Sequence, residues 1–207
     1  MEDAAIKSVI MKSYNANARL RDKTSMEQWK LEELQWFRSF IEPSSGESLL
    51  DVGAGAGQQS EWLQSNGFDV LAIDSSAEMI NCCRDRGIKA SVMDFYNIEG
   101  NGNSFDAVWS MNALLHVPKK SLPTVLLSVR RVMKPGGLFY LGLYGGQNSE
   151  GIWGEDAYNP KRYFSSYTNE DLQGEVSKYF ELTHFKVTQP PGHSPDYQSM
   201  ILRKREE

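Results

Sequence analysis

Leu49-Leu50-Asp51-Val52-Gly53-Ala54-Gly55-Ala56-Gly57 decides the fold of this 207-residue chain. Ser48 to Val52 is an apolar run with the length of a buried strand. The three alternate glycines behind it let the backbone bend sharply and approach a ligand closely. A helix opening after that bend presents unpaired N–H groups and the positive end of its dipole. Such a loop receives an anionic or strongly polar group; its structural alternative is a tight strand-to-helix turn that binds nothing.

Outward from this loop, strands and helices alternate. Upstream, residues 26–41 predict a helix: Thr24 and Glu27 make a capping-box pair, and Trp29, Leu34, Phe37 and Ile41 form an apolar stripe. Glu42-Pro43-Ser44-Ser45-Gly46 stops it. Downstream, Asn66-Gly67 ends the helix of the glycine loop, and strands are predicted at 68–73, 88–93, 105–110 and 138–144. Ser75 and Glu78 read as a second capping box, for a helix that Gly87 ends. Leu122, Val125, Leu126, Val129, Val132 and Met133 share one helical face, and Lys134-Pro135-Gly136-Gly137 terminates that helix. Thr168 starts a short polar helix. Late strands at 180–187 and 198–203 flank Gln189-Pro190-Pro191-Gly192. Alternation implies parallel strands with right-handed crossovers, and the late pair, lacking a helix between them, implies a hairpin. The expected fold is α/β: a mostly parallel seven-stranded sheet, helices on both faces, and an antiparallel C-terminal hairpin. A single domain over 1–207 is expected, with 1–45 as an N-terminal helical cap segment.

Bulk properties narrow the partners. A net charge of −5 opposes a polyanion, and the one dense basic cluster, Arg203-Lys204-Arg205, runs straight into Glu206-Glu207 as a solvated chain end, so nucleic acid is not an expected partner. No stretch reaches the ~20 apolar residues that span a bilayer. The N-terminus lacks the charged start and apolar run of a secretion signal, so a cytoplasmic protein without a membrane partner is expected. Cys82 and Cys83 are adjacent, and neighbours rarely bridge; with three scattered histidines they make no metal-ligand spacing, so no metal is expected.

In such sheets, ligands lie beyond the carboxyl ends of the strands, at the switch in strand order. Two ligand classes compete for the glycine loop. Dinucleotide sites use G-x-G-x-x-G. Here Gly53, Gly55 and Gly57 bring the third glycine one residue early, and Asp51 precedes them. A carboxylate there repels a pyrophosphate and attracts an amino group. Both features favour S-adenosylmethionine over a nicotinamide dinucleotide.

Residues 49–57 resemble the first motif of class I S-adenosylmethionine-dependent methyltransferases, and the resemblance extends from about residue 25 to the end. The late hairpin and the Lys134-Pro135-Gly136-Gly137 turn also fit. The resemblance implies a Rossmann-like methyltransferase fold, S-adenosyl-L-methionine as cofactor, and contacts to its methionine part from Asp51, Gly53, Ala54 and Gly55. It implies that Asp74, ending the second strand, accepts hydrogen bonds from the ribose, with Ser75 and Met79 lining the same pocket. Asp94 and Phe95, after the third strand, take the adenine. Tyr14 and Arg19 resemble the family's N-terminal segment over the cofactor.

Ser110-Met111-Asn112, Leu115 and His116 follow the fourth strand and resemble the loop where cofactor and acceptor meet, with Asn112 on the cofactor. His116, with an ordinary pKa near ~6.5, is a candidate general base and equally a packed structural histidine before Pro118. For His184 and His193 the structural reading is preferred. Residues 145–167 are long for a compact loop and hold Trp153, Tyr158, Tyr163, Phe164 and Tyr167. The expectation is an aromatic substrate-covering loop in which Trp153, Arg162 and Tyr163 meet the acceptor; an aromatic cluster packed on the sheet edge is the alternative. Glu150, Glu155, Asp156, Lys161 and Arg162 can select a charged acceptor. The predicted reaction is methyl transfer to an O, N or S nucleophile of a small molecule. Rivals are an S-adenosylmethionine-binding regulatory module and a nicotinamide oxidoreductase, although no Tyr-x-x-x-Lys pair starts at Tyr14, where Ala18 stands four on. The base-amine Asn-Pro-Pro-Tyr motif is replaced here by Ser110-Met111-Asn112-Ala113.

Overall fold

The computed structural model describes residues 2–41, 46–192 and 194–206. Its strands are β1 (Ser48–Val52), β2 (Asp69–Asp74), β3 (Lys89–Val92), β4 (Phe105–Met111), β5 (Met133–Tyr144), β6 (Ser149–Ile152), β7 (Tyr163–Ser166), β8 (Glu181–Thr188) and β9 (Tyr197–Arg203). Its helices are α1 (Asp3–Asp22), α2 (Gln28–Arg38), α3 (Gln58–Ser65), α4 (Ala77–Asp85), α5 (Leu122–Val132) and α6 (Asn169–Val176). Seven strands form one sheet in the order β3-β2-β1-β4-β5-β9-β8. The first five pair in parallel; β9 runs antiparallel between β5 and β8. This is the expected mixed sheet with its terminal hairpin. Strand order reverses between β1 and β4, so the carboxyl ends of those two strands flank the crevice where a ligand fits.

Alternation along the strands divides the core. Leu50, Val52, Val108, Phe139 and Leu141 face α5 and α6, meeting Leu122, Val125, Leu126, Val129, Leu172 and Val176. Leu49, Val70, Ala72, Ala107, Trp109 and Tyr140 face the other way, onto Trp29, Leu34 and Phe37 of α2, Leu63 of α3 and Cys83 of α4. Successive strand residues point to opposite faces, so each strand serves both layers.

Several sequence expectations shift. The first helix is α1, which the apolar pattern did not show: its buried residues are Ile6, Ser13 and Ala18, two of them small or polar. Because α1 runs to Asp22, Thr24 is used in its terminal turn, where its hydroxyl donates to the Arg21 carbonyl (2.7 Å). Thr24 therefore does not cap α2, which starts at Gln28; its N-cap is Glu27, whose side chain makes no capping bond and pairs with Lys30 instead. The expected stop of α2 at residues 42–45 lies outside the described residues, as does His193. The N-cap of α4 is Ser76 rather than Ser75; its hydroxyl accepts from the Met79 N–H (3.2 Å). Lys134 to Gly137 stay within β5 as an irregularity where its register against β4 shifts. The stretch 145–167 is not all loop: β6 and β7 pair within it as a separate antiparallel ribbon.

Candidate active site

Beyond the carboxyl ends of β1, β2, β3 and β4 lies a cavity of about 1490 Å³, lined also by residues of α1 and of the β6–β7 ribbon. The glycine loop forms its floor. Gly53 and Ala54 N–H groups donate to the Ile73 carbonyl (2.8 and 3.1 Å), tying the loop to β2. A side chain at Gly53 would stand 2.2 Å from the Ala113 Cβ, and one at Gly57 2.9 Å from the Cys83 sulfur, so two of the glycines permit close packing. Gly55 differs. Its φ is +56° and a Cβ added to it would meet nothing within 4 Å, so its backbone is bare toward the cavity.

Asp74 stands beside this loop and lines the cavity. One oxygen accepts the Gly55 N–H (3.0 Å) and the other the Ser76 N–H (2.8 Å). Burial pushes its carboxyl up; those backbone donors pull the other way. Ser75 lines the cavity next to it. At the far end, Asp94 and Phe95 follow β3. Asp94 accepts Lys7 Nζ at 2.6 Å and the Tyr96 N–H at 3.0 Å. Asn112 lines the cavity in a left-handed conformation (φ 58°) held by its N–H to the Gly142 carbonyl at 2.8 Å. Its side-chain carbonyl oxygen is buried with no partner. Buried acceptors are normally satisfied, so this one calls for a donor from a bound molecule.

The same cavity is lined by a polar chain. The Tyr14 oxygen lies 2.7 Å from His116 Nε2, and His116 Nδ1 lies 2.7 Å from the Tyr163 carbonyl. A carbonyl only accepts, so Nδ1 carries the proton and Nε2 receives that of Tyr14. Burial drives the imidazole down to about 3, and the Arg162 and Arg21 charges add to the effect, so His116 is neutral at physiological pH. Arg162 Nη1 donates to the Tyr14 oxygen (3.0 Å). Arg21 Nη1 donates to the Tyr158 hydroxyl (3.0 Å) and its guanidinium lies over the Tyr14 ring. Phe164 packs on His116, and Trp153, half exposed, meets Phe164 edge-on.

Thus the structure gathers Tyr14, Gly53, Ala54, Gly55, Asp74, Ser75, Asp94, Phe95, Asn112, His116, Trp153 and Arg162 around one cavity. Four other residues named from sequence sit elsewhere. Asp51 is buried behind the loop, where it accepts the Ser60 hydroxyl (2.6 Å). Met79 is core, packed with Ala18, Ala56 and Cys82 because α4 turns it inward. Tyr163 contributes its carbonyl to His116, while its ring points away and its hydroxyl donates to Glu150 (2.8 Å). Arg19 pairs with Asp85 in solvent. Lys7 and Arg21 were missed, yet Lys7, Tyr14 and Arg21 recur every seven residues, the spacing of one helix face; that signal becomes visible only once α1 is read as a helix. Among the described residues no three His, Cys, Asp or Glu side chains gather as a metal site.

Residues 50–141 match the model of a methyltransferase-domain family. A ubiquinone biosynthesis O-methyltransferase of Xanthomonas oryzae pv. oryzae is 36% identical over 105 residues, covering 47% of this chain and 43% of that protein. Phosphoethanolamine N-methyltransferase 2 of Caenorhabditis elegans is 26% identical over 184 residues, covering 84% of this chain and 40% of that protein. The chain thus spans about two fifths of the length of these curated relatives. Among solved structures, 1,6-didemethyltoxoflavin-N1-methyltransferase of Burkholderia thailandensis, with bound 1,6-didemethyltoxoflavin and S-adenosylhomocysteine, superposes with a TM-score of 0.76 at 18% identity, covering 98% of this chain and 89% of that one. That likeness concerns the fold. Sheet order and glycine loop define a class I methyltransferase fold. The family match covers residues 50–141, and the sheet order over the rest of the chain is that of the same fold.

Proposed function

We propose that this chain transfers a methyl group from S-adenosylmethionine to an O, N or S nucleophile of a small molecule. One observation carries the reading: a single cavity is lined both by the bare glycine loop with Asp74 and by the Tyr14–His116 pair. The residues present fit the cofactor. Gly53, Ala54 and Gly55 offer backbone to its methionine part, Asp74 and Ser75 accept from its ribose hydroxyls, Asp94 and Phe95 take the adenine, and the orphaned Asn112 oxygen awaits a donor. Asp51 supports the loop through Ser60 rather than touching the ligand. When bound, S-adenosylmethionine supplies an electrophilic methyl on a sulfonium.

The protein's part is positioning. Holding two reactants in attack geometry can lower the barrier by ~7–11 kcal/mol. Trp153, Arg162 and Phe164 shape the acceptor end, with Tyr163 holding His116 in place. Neutral and lowered to about 3, His116 is a poor base; its Nε2 instead holds the Tyr14 hydroxyl proton, leaving the Tyr14 oxygen turned to the acceptor. The relatives named for ubiquinone biosynthesis and phosphoethanolamine act on small molecules by name, and the charge of −5 opposes nucleic acid; both support a small acceptor. The proposed setting is the cytoplasm. No described helix is long and apolar enough to cross a membrane.

Calorimetric titration with S-adenosylhomocysteine and with NADH tests the reading. Binding of the first alone is expected, with Asp74→Ala weakening it at least about tenfold and Gly55→Arg abolishing it. Binding of NADH alone, or affinity untouched by both substitutions, overturns it. Release of S-adenosylhomocysteine across a panel of phenols, amines and thiols then identifies the acceptor atom.

A further inference from the structure

We infer that Asp156 is a positioning residue: by gripping the Arg162 guanidinium it aims an Arg162 N–H at the Tyr14 oxygen, and so directs the Tyr14 proton onto His116 Nε2. Asp156 does not line the cavity; it acts through Arg162, which does. Its catalytic consequence rests on the methyl-transfer reading, but the geometry stands without it.

The grip is complete on the Asp156 side. Its side chain is 1% exposed. One carboxylate oxygen accepts the Arg162 backbone N–H (2.8 Å) and Nε (2.9 Å), and the other accepts Nη2 (2.7 Å). Burial alone would raise the Asp156 carboxyl, but the Arg162 donors outweigh burial and hold it below its ordinary range. The paired guanidinium is wedged among rings, 3.9 Å from the Tyr158 centroid, 5.1 Å from Phe164 and 5.4 Å from Tyr14. A planar fork held at two points and stacked has little freedom left, so Nη1 is fixed in direction.

A phenol oxygen that accepts one N–H still has its own proton to give. Arg162 blocks one side of the Tyr14 oxygen, and the unprotonated His116 Nε2 stands 2.7 Å away. The chain closes on itself: Arg162 aims Tyr14, Tyr14 donates to His116, and His116 Nδ1 donates to the carbonyl of Tyr163, the next residue after Arg162. The charged groups facing the imidazole are Arg162 and Asp156 from the ribbon segment and Arg21 from α1, with Tyr14 from the same helix. With its proton committed, the Tyr14 oxygen keeps a lone pair for an acceptor that arrives as X–H. Asp156 thus sets the polarity of the acceptor end.

The test is nitrogen-15 magnetic resonance of the histidine rings in the whole protein, with His116 assigned through His116→Gln among the three histidines. Tyr14→Phe sets the resonance position of Nε2 without its donor. In Asp156→Asn, and in Arg162→Lys, which keeps the charge but loses the fork, the Nε2 resonance is expected to move at least half of the way to that position, with the His184 signals unmoved. A general loosening would shift the unfolding temperature without this selective change. A smaller displacement in both variants overturns the inference, as does a Tyr14→Phe protein whose Nε2 resonance equals that of the wild type. If Asp156→Asn does not fold, Arg162→Lys decides alone. A parallel titration of the wild type with S-adenosylhomocysteine keeps the two readings apart: absent binding sinks the methyl-transfer assignment and leaves the resonance shift to judge Asp156.

Discussion

Asp51 carries a titration cost for its position beneath the glycine loop. Burial pushes its carboxyl up to about 7, against the opposing Ser60 hydrogen bond, and the nearby Asp74 charge raises it further. In the unfolded chain the same group titrates near ~3.9. Between those values the folded protein holds a proton that the unfolded chain has released, so this stabilisation is full below about pH 4 and lost as pH rises through about 7. Asp51→Asn, which can still accept from Ser60, should therefore gain on the order of 1–3 kcal/mol relative to the wild type between pH 4 and pH 8. Thermal unfolding of both proteins at the two pH values measures it; an equal difference at both contradicts the buried proton. Gly53 and Gly55 separate packing from exposure. Gly53→Ala meets Ala113 at 2.2 Å with φ at +75°, and should cost about 2–4 kcal/mol in urea unfolding. Gly55→Ala carries only its left-handed backbone, a cost of about 1 kcal/mol, and should instead weaken S-adenosylhomocysteine binding. Asp74 and Asp94 were legible because strand ends are fixed by apolar runs that stop abruptly. Arg21 was not, since a cation on a helix carries no mark of the cavity it faces.

At the scale of elements, legibility followed the strength of the apolar pattern. β1, β4 and α5 are bounded nearly where their sequences place them, because each is a predominantly apolar run or a clean stripe. α1 was expected only as part of an N-terminal helical segment, without bounds, because its apolar stripe is weak: Lys7, Tyr14 and Arg21 face the cavity, and only Ile6, Ser13 and Ala18 are buried. β6 and β7 escaped because two four-residue strands leave too short a record for a period of two to show. One of the links between α1 and α4 runs through Ser76. The Ser76 hydroxyl accepts from the Met79 N–H as the N-cap of α4 and donates to Asn15 of α1 (2.6 Å). Ser76→Ala should cost about 1–2 kcal/mol, cap and bridge together. Ser76→Asp, which caps but cannot donate to the Asn15 oxygen, should recover only the capping share. Urea unfolding of the pair of variants separates the two parts.

For the molecule as a whole, the fold was legible and the acceptor was not. Strand–helix alternation dictates a parallel sheet, and its reversal between β1 and β4 dictates where a ligand goes, but the chemistry at the acceptor end depends on contacts between residues far apart in sequence. A bound ligand stabilises the folded state by mass action. S-adenosylhomocysteine at a hundred times its dissociation constant should add ~2.7 kcal/mol, or about 5–10 °C in unfolding temperature for a chain of this size. NADH should add nothing. A scan with and without each compound checks both.

Tyr14 meets His116 across 102 residues of chain, and Lys7 meets Asp94 across 87. Contacts of such separation carry a larger loop-closure cost than local ones and should form late. The helix that roofs the cavity should thus dock late. It is tethered by side chains and belongs to no sheet ladder, so it can lift while the sheet stays intact. Amide protons of residues 3–22 should exchange with deuterium well before those of β4, and a bound ligand should slow the helix far more than the strand. Entry and release, on this account, retrace a late step of folding: the doorway is α1, unlatched for a moment from the sheet beneath it.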